Sequence, residues 1–283
     1  MLLAEEEPVK VLEKCFGYTS FLWKQEEIIR HVLGKKHALV VAPTGIGKSL
    51  CYQIPAIIND GLAVVISPLI ALMKDQVDAL KRRGIDATYI NSSLGREKRE
   101  ARYAELRNGS YRIIYVTPER FRKTDFTEAL SGRHISLLAV DEAHCISEWG
   151  HDFRPDYTRI REFRQVLGNP VTIALTATAI PEVQKDIIKT LCLETGEVKM
   201  FHGGIDRPNL HLQVEKVFSN DEKLEHIISV VNKYDGNGIV YFTLIKQLND
   251  FSDMLKGHGI SHLCYHGGLE RVQRSKVQEQ FMR

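Results

Sequence analysis

An apolar run at residues 37–42 leads straight into Pro43-Thr-Gly-Ile-Gly-Lys-Ser49, and a helical stretch at 50–58 follows. No other feature limits the fold as much. Glycines at 45 and 47 let the backbone bend until successive N–H groups point inward. The start of the helix adds partial positive charge at the same place. A strand, a glycine-bearing loop and a helix start in that order form a cradle for phosphate. Lys48 is placed to reach the terminal phosphates, and Ser49 to offer a hydroxyl to Mg²⁺. Thr44, Gly45, Ile46 and Gly47 supply the loop itself.

Further apolar runs occur at 63–67, 87–90, 112–117, 136–140 and 172–175, with amphipathic stretches at 69–83, 96–108 and 181–193 between them. Continuous β-branched runs alternating with helices predict an α/β fold, a parallel sheet flanked by helices on both faces. The run at 136–140 ends in Asp141 and Glu142, which sets two carboxylates at the carboxyl edge of the sheet, where open α/β folds bind ligands. Asp141 is the expected Mg²⁺ partner, and Glu142 is expected to orient and deprotonate the attacking water.

The pattern fills about the first 200 residues, which are expected to form one nucleotide-binding domain. Residues 201–218, with glycines and a proline, read as a connector. Then the alternation restarts: helix 221–234, strand 238–243, helix 245–258, strand 261–265 and helix 269–281 are expected. This second part, residues 219–283, is about 65 residues long, near the lower limit for folding alone.

Of the 283 residues, 43% are hydrophobic and 26% charged, an ordinary globular balance. The formal net charge of +2 excludes a polybasic tail but not a local basic groove. Five scattered cysteines without a C-x-x-C pair argue against a disulfide framework or a zinc ribbon and for a reducing compartment. The first residues lack the form of a secretory signal, and no apolar stretch is long enough to span a bilayer. The expected location is the cytoplasm, with the nucleoid if bacterial, or the nucleus if eukaryotic. His262, Cys264 and His266 alternate, but with no fourth ligand nearby they do not read as a zinc site.

With these two motifs the chain resembles superfamily 2 helicases carrying a DEAH box, Asp141-Glu-Ala-His144, and the RecQ family in particular. The phosphate loop matches the looser helicase form, with Ala42 where the strict form has glycine. Phe16-Gly-Tyr18 and Gln25 resemble the adenine-recognition motif. Ser67-Pro-Leu-Ile-Ala-Leu-Met-Lys-Asp-Gln76 and Val116-Thr-Pro-Glu-Arg120 resemble DNA-contacting motifs. Cys145-Ile-Ser-Glu-Trp-Gly-His-Asp-Phe-Arg-Pro155 resembles the family's aromatic-rich loop, Ala174-Leu-Thr-Ala-Thr178 the coupling motif, and Arg207-Pro-Asn209 and Tyr265-His-Gly-Gly-Leu269 motifs of a second RecA-like motor domain.

The resemblance implies RecA-like architecture, ATP and Mg²⁺ as cofactors, single-stranded and forked DNA as partners, and ATP-driven 3′–5′ unwinding in repair and recombination. Lys48, Asp141, Glu142 and His144 become the catalytic group. Tyr18 and Gln25 join residues 44–49 in binding nucleotide. Ser67, Thr117, Trp149, Phe153, Arg154, Thr176 and Thr178 become the DNA-coupling set, because strand-end hydroxyls suit a sugar-phosphate backbone and aromatics in a polar loop suit unpaired bases. Two departures stand out. Leu22 and Lys24 occupy positions where the family has arginine and glycine, which predicts weaker adenine binding. The sequence also stops at Arg283, before the motifs that carry the arginine finger, a group worth on the order of 10³–10⁵ in rate elsewhere. Weak hydrolysis and an unpaired sheet edge are therefore expected. A DNA-binding remnant or regulator, and an RNA helicase, are the competing expectations.

Overall fold

A computed structural model describes residues 7–150, 152–204 and 209–281. Arg207, Pro208 and His151, named above, lie outside them. The chain divides into two compact units, Met1–Arg207 and Pro208–Arg283.

The first unit opens with α1 (Pro8–Val11) and a π-helical turn, Leu12–Phe16. The order then runs α2 (Gln25–Leu33), β1 (His37–Val41), α3 (Leu50–Ile58), β2 (Leu62–Ile66), α4 (Ile70–Arg82), β3 (Ala87–Ile90), α5 (Arg96–Arg107) and β4 (Ile113–Val116). It continues with α6 (Thr124–Leu130), β5 (Ile135–Val140), α7 (Ile160–Val166), β6 (Thr172–Thr176), α8 (Pro181–Thr190) and β7 (Val198–His202). The strands form a seven-stranded sheet in the order β3-β4-β2-β5-β6-β1-β7, with every pair parallel. This is the helix-flanked parallel α/β sheet that the alternation predicts.

Strand periodicity divides the core into two layers. Val64 and Ile66 of β2, with Leu138 and Val140 of β5, face one side, where Tyr103, Phe126, Phe163 and Ile187 of the helices cover them. Ala63 and Val65, with Leu137 and Ala139, face the other side against Ile28, Tyr52, Ile54 and Met73. All residues of β2 and β5 are buried. Each fully buried Val, Leu or Ile contributes about 1.5–3 kcal/mol, so the central strands anchor the unit.

β7 was not expected. Residues 201 and 202, read from sequence as the start of the connector, close this strand, which pairs with β1 from His37↔Val198 to Val41↔His202. Only Val198 and Phe201 are buried in it. A five-residue edge strand with that little apolar signal is set by the exposed side of β1, not by its own composition.

The second unit contains α9 (Asn220–Lys233), α10 (Ile245–Gly257) and α11 (Arg271–Phe281). Ser219 caps α9, its hydroxyl accepting from the Glu222 N–H at 3.0 Å, while the Glu222 carboxylate accepts from the Phe218 N–H at 2.7 Å. Leu224, Phe251 and Leu255 form its small core. The strands expected at 238–243 and 261–265 are not formed. A β-branched run becomes a strand only when a neighbour supplies ladder partners. Here Ile239, Val240 and Tyr241 remain 61%, 48% and 88% exposed. Among the described residues no helix is long and apolar enough to cross a membrane.

Candidate active site and nucleic-acid interface

Parallel strands all end at one edge, and that edge gathers the predicted residues of the first unit. β1 delivers the phosphate loop, β2 Ser67, β4 Thr117, β5 Asp141 and Glu142, and β6 Thr176. Since β6 lies between β1 and β5, Thr176 sits in the sheet between the phosphate loop and the acids.

The loop has the backbone its glycines permit, with φ of 83° at Gly45 and 75° at Gly47. A Cβ at Gly47 would lie 2.5 Å from the Gln25 side-chain nitrogen. Lys48 Nζ donates to the carbonyls of Ala42 (2.7 Å) and Pro43 (3.1 Å). The lysine therefore folds back over the cradle, where it would meet a phosphate. Gln25 is buried, and its amide nitrogen donates to the carbonyls of Ile46 and Gly47, each at 3.0 Å. Its oxygen accepts from the Leu22 N–H at 2.8 Å. In this state the amide nitrogen of Gln25 braces the phosphate loop, and its oxygen ties that brace to the turn before α2. Tyr18 is exposed.

Asp141 is only partly exposed, and its carboxylate accepts from the Glu142 N–H at 3.0 Å. Burial, reinforced by the adjacent Glu142 charge, pushes its pKa up to about 6. A carboxylate held this unfavourably, within reach of the Lys48 charge of the phosphate cradle, fits Mg²⁺, which takes one or two protein ligands and draws the rest from phosphates and water. Among the described residues no cluster of three His, Cys, Asp or Glu offers a fully protein-built metal site. Glu142 adopts φ 48°, a left-handed conformation costing a non-glycine residue about 1–2 kcal/mol. That turn carries its carboxylate to 3.3 Å from His144 Nδ1.

His144 Nδ1 also lies 2.9 Å from Thr176 Oγ1. The Thr176 hydroxyl spends its one proton on the Thr178 carbonyl at 3.0 Å, so its oxygen must accept from His144. His144 thus carries its proton on Nδ1, bridging the acid motif to the Thr176–Thr178 segment.

Ser67 and Thr117 end adjacent strands. Both are buried, and neither hydroxyl has a hydrogen-bond partner within the protein. Two orphaned hydroxyls on one edge suit an oxygen-rich ligand. In the aromatic-rich loop Trp149 is 77% exposed and Phe153 half-buried. Arg154 is already engaged, pairing with Asp152 at 2.9 Å and donating to the Pro68 carbonyl at 3.2 Å. It clips the loop to the turn after β2.

Several contributors escaped the sequence reading. Gln53 of α3 donates from Nε2 to Gln76 Oε1 of α4 at 2.8 Å and to the Tyr115 hydroxyl at 3.0 Å, joining two motifs 23 residues apart. Trp23, beside Gln25, is an exposed aromatic at φ 45°. Asp186 of α8 accepts from Ser147 Oγ at 2.6 Å. Polar residues on helices give no periodic signal of their partners. In the second unit His262 is held by Ser252 Oγ (2.9 Å) and the Ile260 carbonyl (2.8 Å).

A phosphate loop and an Asp-Glu-Ala-His turn on one parallel sheet define a P-loop nucleotide-binding protein of the helicase kind. The DEAD/DEAH box helicase family pattern matches residues 24–187, and the chain belongs to that family. It is 41% identical over 275 residues to ATP-dependent DNA helicase RecQ of Haemophilus influenzae, covering 97% of this chain and 44% of that protein. It is 42% identical over 274 residues to ATP-dependent DNA helicase RecQ of Bacillus subtilis (96% and 46%). Against mouse ATP-dependent DNA helicase Q1 it is 38% identical over 281 residues (96% and 45%). The chain thus spans less than half the length of these relatives. Among solved structures, the Mycobacterium smegmatis helicase Lhr bound to ssDNA and AMP-PNP shares the fold at TM-score 0.71 and 17% identity, covering 97% of this chain and 40% of that one. The helicase MrfA does so at TM-score 0.68 and 18% identity, covering 97% and 44%.

Proposed function

We propose that this chain supplies the ATP-hydrolysing and strand-sensing part of a RecQ-type DNA helicase, one that moves 3′–5′ on single-stranded DNA and opens forked duplexes in repair and recombination. The observation that carries this is the bond from His144 Nδ1 to Thr176 Oγ1, which ties the acid turn to a segment leading away from the nucleotide cradle. The relatives named as ATP-dependent DNA helicases support the substrate class. The first RecA-like domain runs through β7 to His202, the segment after it serves as connector, and residues 219–283 as the beginning of a second. The protein works where DNA is, in the bacterial cytoplasm or the nucleus.

Residues 44–49 hold the phosphates through backbone N–H groups, and Lys48 leaves the carbonyls of Ala42 and Pro43 for the γ-phosphate. Ser49 and Asp141 would hold Mg²⁺, which supplies charge neutralisation at the phosphate oxygens. Glu142 takes the proton of the attacking water as its oxygen bonds to the γ-phosphorus and ADP departs. His144 keeps Glu142 oriented and passes its position to Thr176 and Thr178. Tyr18 and Gln25 border the base. Ser67 and Thr117 take the sugar-phosphate backbone, while Trp149 and Phe153 meet unpaired bases, with Arg154 fixing their loop.

The test is ATP turnover by the 283-residue chain with and without single-stranded DNA, beside Lys48→Ala. Turnover that rises with DNA and disappears in the variant is expected. Equal stimulation by RNA would move the reading to an RNA helicase. Nucleotide and DNA binding without any turnover would make the chain a binding module.

A further inference from the structure

The aromatic-rich loop leaves the 3₁₀ turn Ala143–Ile146 and packs beside α8. Between them lies a cavity of about 360 Å³ lined by Ser147, Trp149, Phe153, Arg161, Asp186 and Lys189, among others. A polar clasp spans its wall. The Trp149 N–H lies 3.2 Å from Ser147 Oγ, and Ser147 Oγ lies 2.6 Å from Asp186 Oδ2. The direction is forced. A backbone N–H can only donate, so Ser147 Oγ accepts from Trp149 and gives its own proton to the Asp186 carboxylate. The second bond is charge-assisted, the stronger kind, and Ser147 is 1% exposed, so water competes poorly for it.

Two further constraints make the loop respond to this clasp as a unit. A Cβ at Gly150 would lie 2.2 Å from the His144 carbonyl oxygen, so the loop folds tightly against the DEAH turn. Pro181 starts α8 soon after Thr178, and Val183 and Ile187 bury the helix in the core. Asp186 is therefore rigidly joined to the Thr176–Thr178 segment that His144 contacts.

We propose that Asp186 is a positioning residue that, through Ser147, holds Trp149 at the angle from which it meets an unpaired base. It closes a ring from Glu142 through His144, Thr176, α8 and Ser147 to Trp149. This rests on the proposed strand-sensing role of Trp149.

The experiment uses the whole chain. Trp23→Phe leaves Trp149 as the single tryptophan, since the sequence has two. Steady-state anisotropy of its emission then reports how that side chain is held without any DNA. Binding of fluorescein-labelled oligo(dT), followed by the anisotropy of the fluorescein in the parent background, reports the consequence. Asp186→Ala and Ser147→Ala are expected to lower the Trp149 emission anisotropy and weaken oligo(dT) binding by about tenfold or more, the worth of one charge-assisted bond. Asp186→Asn keeps an acceptor for the serine proton and should stay within about twofold of the parent. The double alanine variant should be no weaker than the weaker single, as expected for one shared interaction. Parent-like Trp149 anisotropy and DNA affinity in Asp186→Ala would overturn the proposal, and Ser147→Ala provides the same reading should Asp186→Ala fail to fold. Parent-like DNA affinity in Trp149→Ala would instead sink the sensing role of Trp149, while the emission anisotropy would still decide whether Asp186 positions the loop.

Discussion

Asp141 meets opposing demands. In its proposed role as a partner for Mg²⁺ it must be ionised, yet its surroundings favour the neutral acid and place its pKa at about 6. In the unfolded chain the group titrates near 3.8. Between those values the folded state binds the extra proton, so stability falls as pH rises from about 4 to 6 and stays reduced above that. The loss is at most about 3 kcal/mol, less what solvent screens. Asp141→Asn is therefore expected to raise the melting temperature of the nucleotide-free protein at pH 7 by a few degrees, with the gain fading toward pH 4, while turnover is lost. A melting temperature at pH 7 equal to or below the parent's would contradict this account. The residue type and its place after an apolar run were legible in the sequence. Its raised pKa was not, because burial comes from elements distant in the chain.

Among the elements, α3 and α4 show how motifs are joined. Each opens at the carboxyl edge, α3 from the phosphate loop and α4 from the turn carrying Ser67. Their contact is polar and partly buried: Gln53 donates to both Gln76 and the buried Tyr115 hydroxyl of β4, and the Tyr52 hydroxyl lies 3.4 Å from that of Tyr115. Burial pushes the Tyr52 phenol well above its ordinary range, so both tyrosines remain neutral hydrogen-bonding groups. Gln53→Leu leaves two acceptors without their donor and should cost about 1–3 kcal/mol in urea unfolding. A change below about 0.5 kcal/mol would show that water replaces the amide. Motif positions were readable from spacing here, but the amide bridge was not, since neither glutamine interrupts a periodic pattern.

On the scale of the whole molecule, the two units differ in what holds them. The first buries two apolar layers about a seven-stranded sheet, while among the described residues of the second the buried apolar side chains are Leu224, Phe251 and Leu255. The second unit should therefore open first. In amide exchange, α9 and α10 are expected to lose protection at lower urea than β2 and β5, giving two phases where a single cooperative unit gives one. Coincident loss of protection would mean that the units fold as one.

The sequence by itself determined the class of fold and which candidate residues end its strands. Local patterns sufficed, because β-branched runs, glycine spacing and the paired acids are written within a few residues of one another. Tertiary structure decided what depends on neighbours. It made β7 an edge strand from a weakly apolar segment, left 238–243 without a ladder, turned Gln25 into a brace for the phosphate loop and brought Asp186 to Ser147. Hydrogen bonds between segments cost too much when buried and unpaired to be left to chance, but their partners are fixed only once the chain has folded.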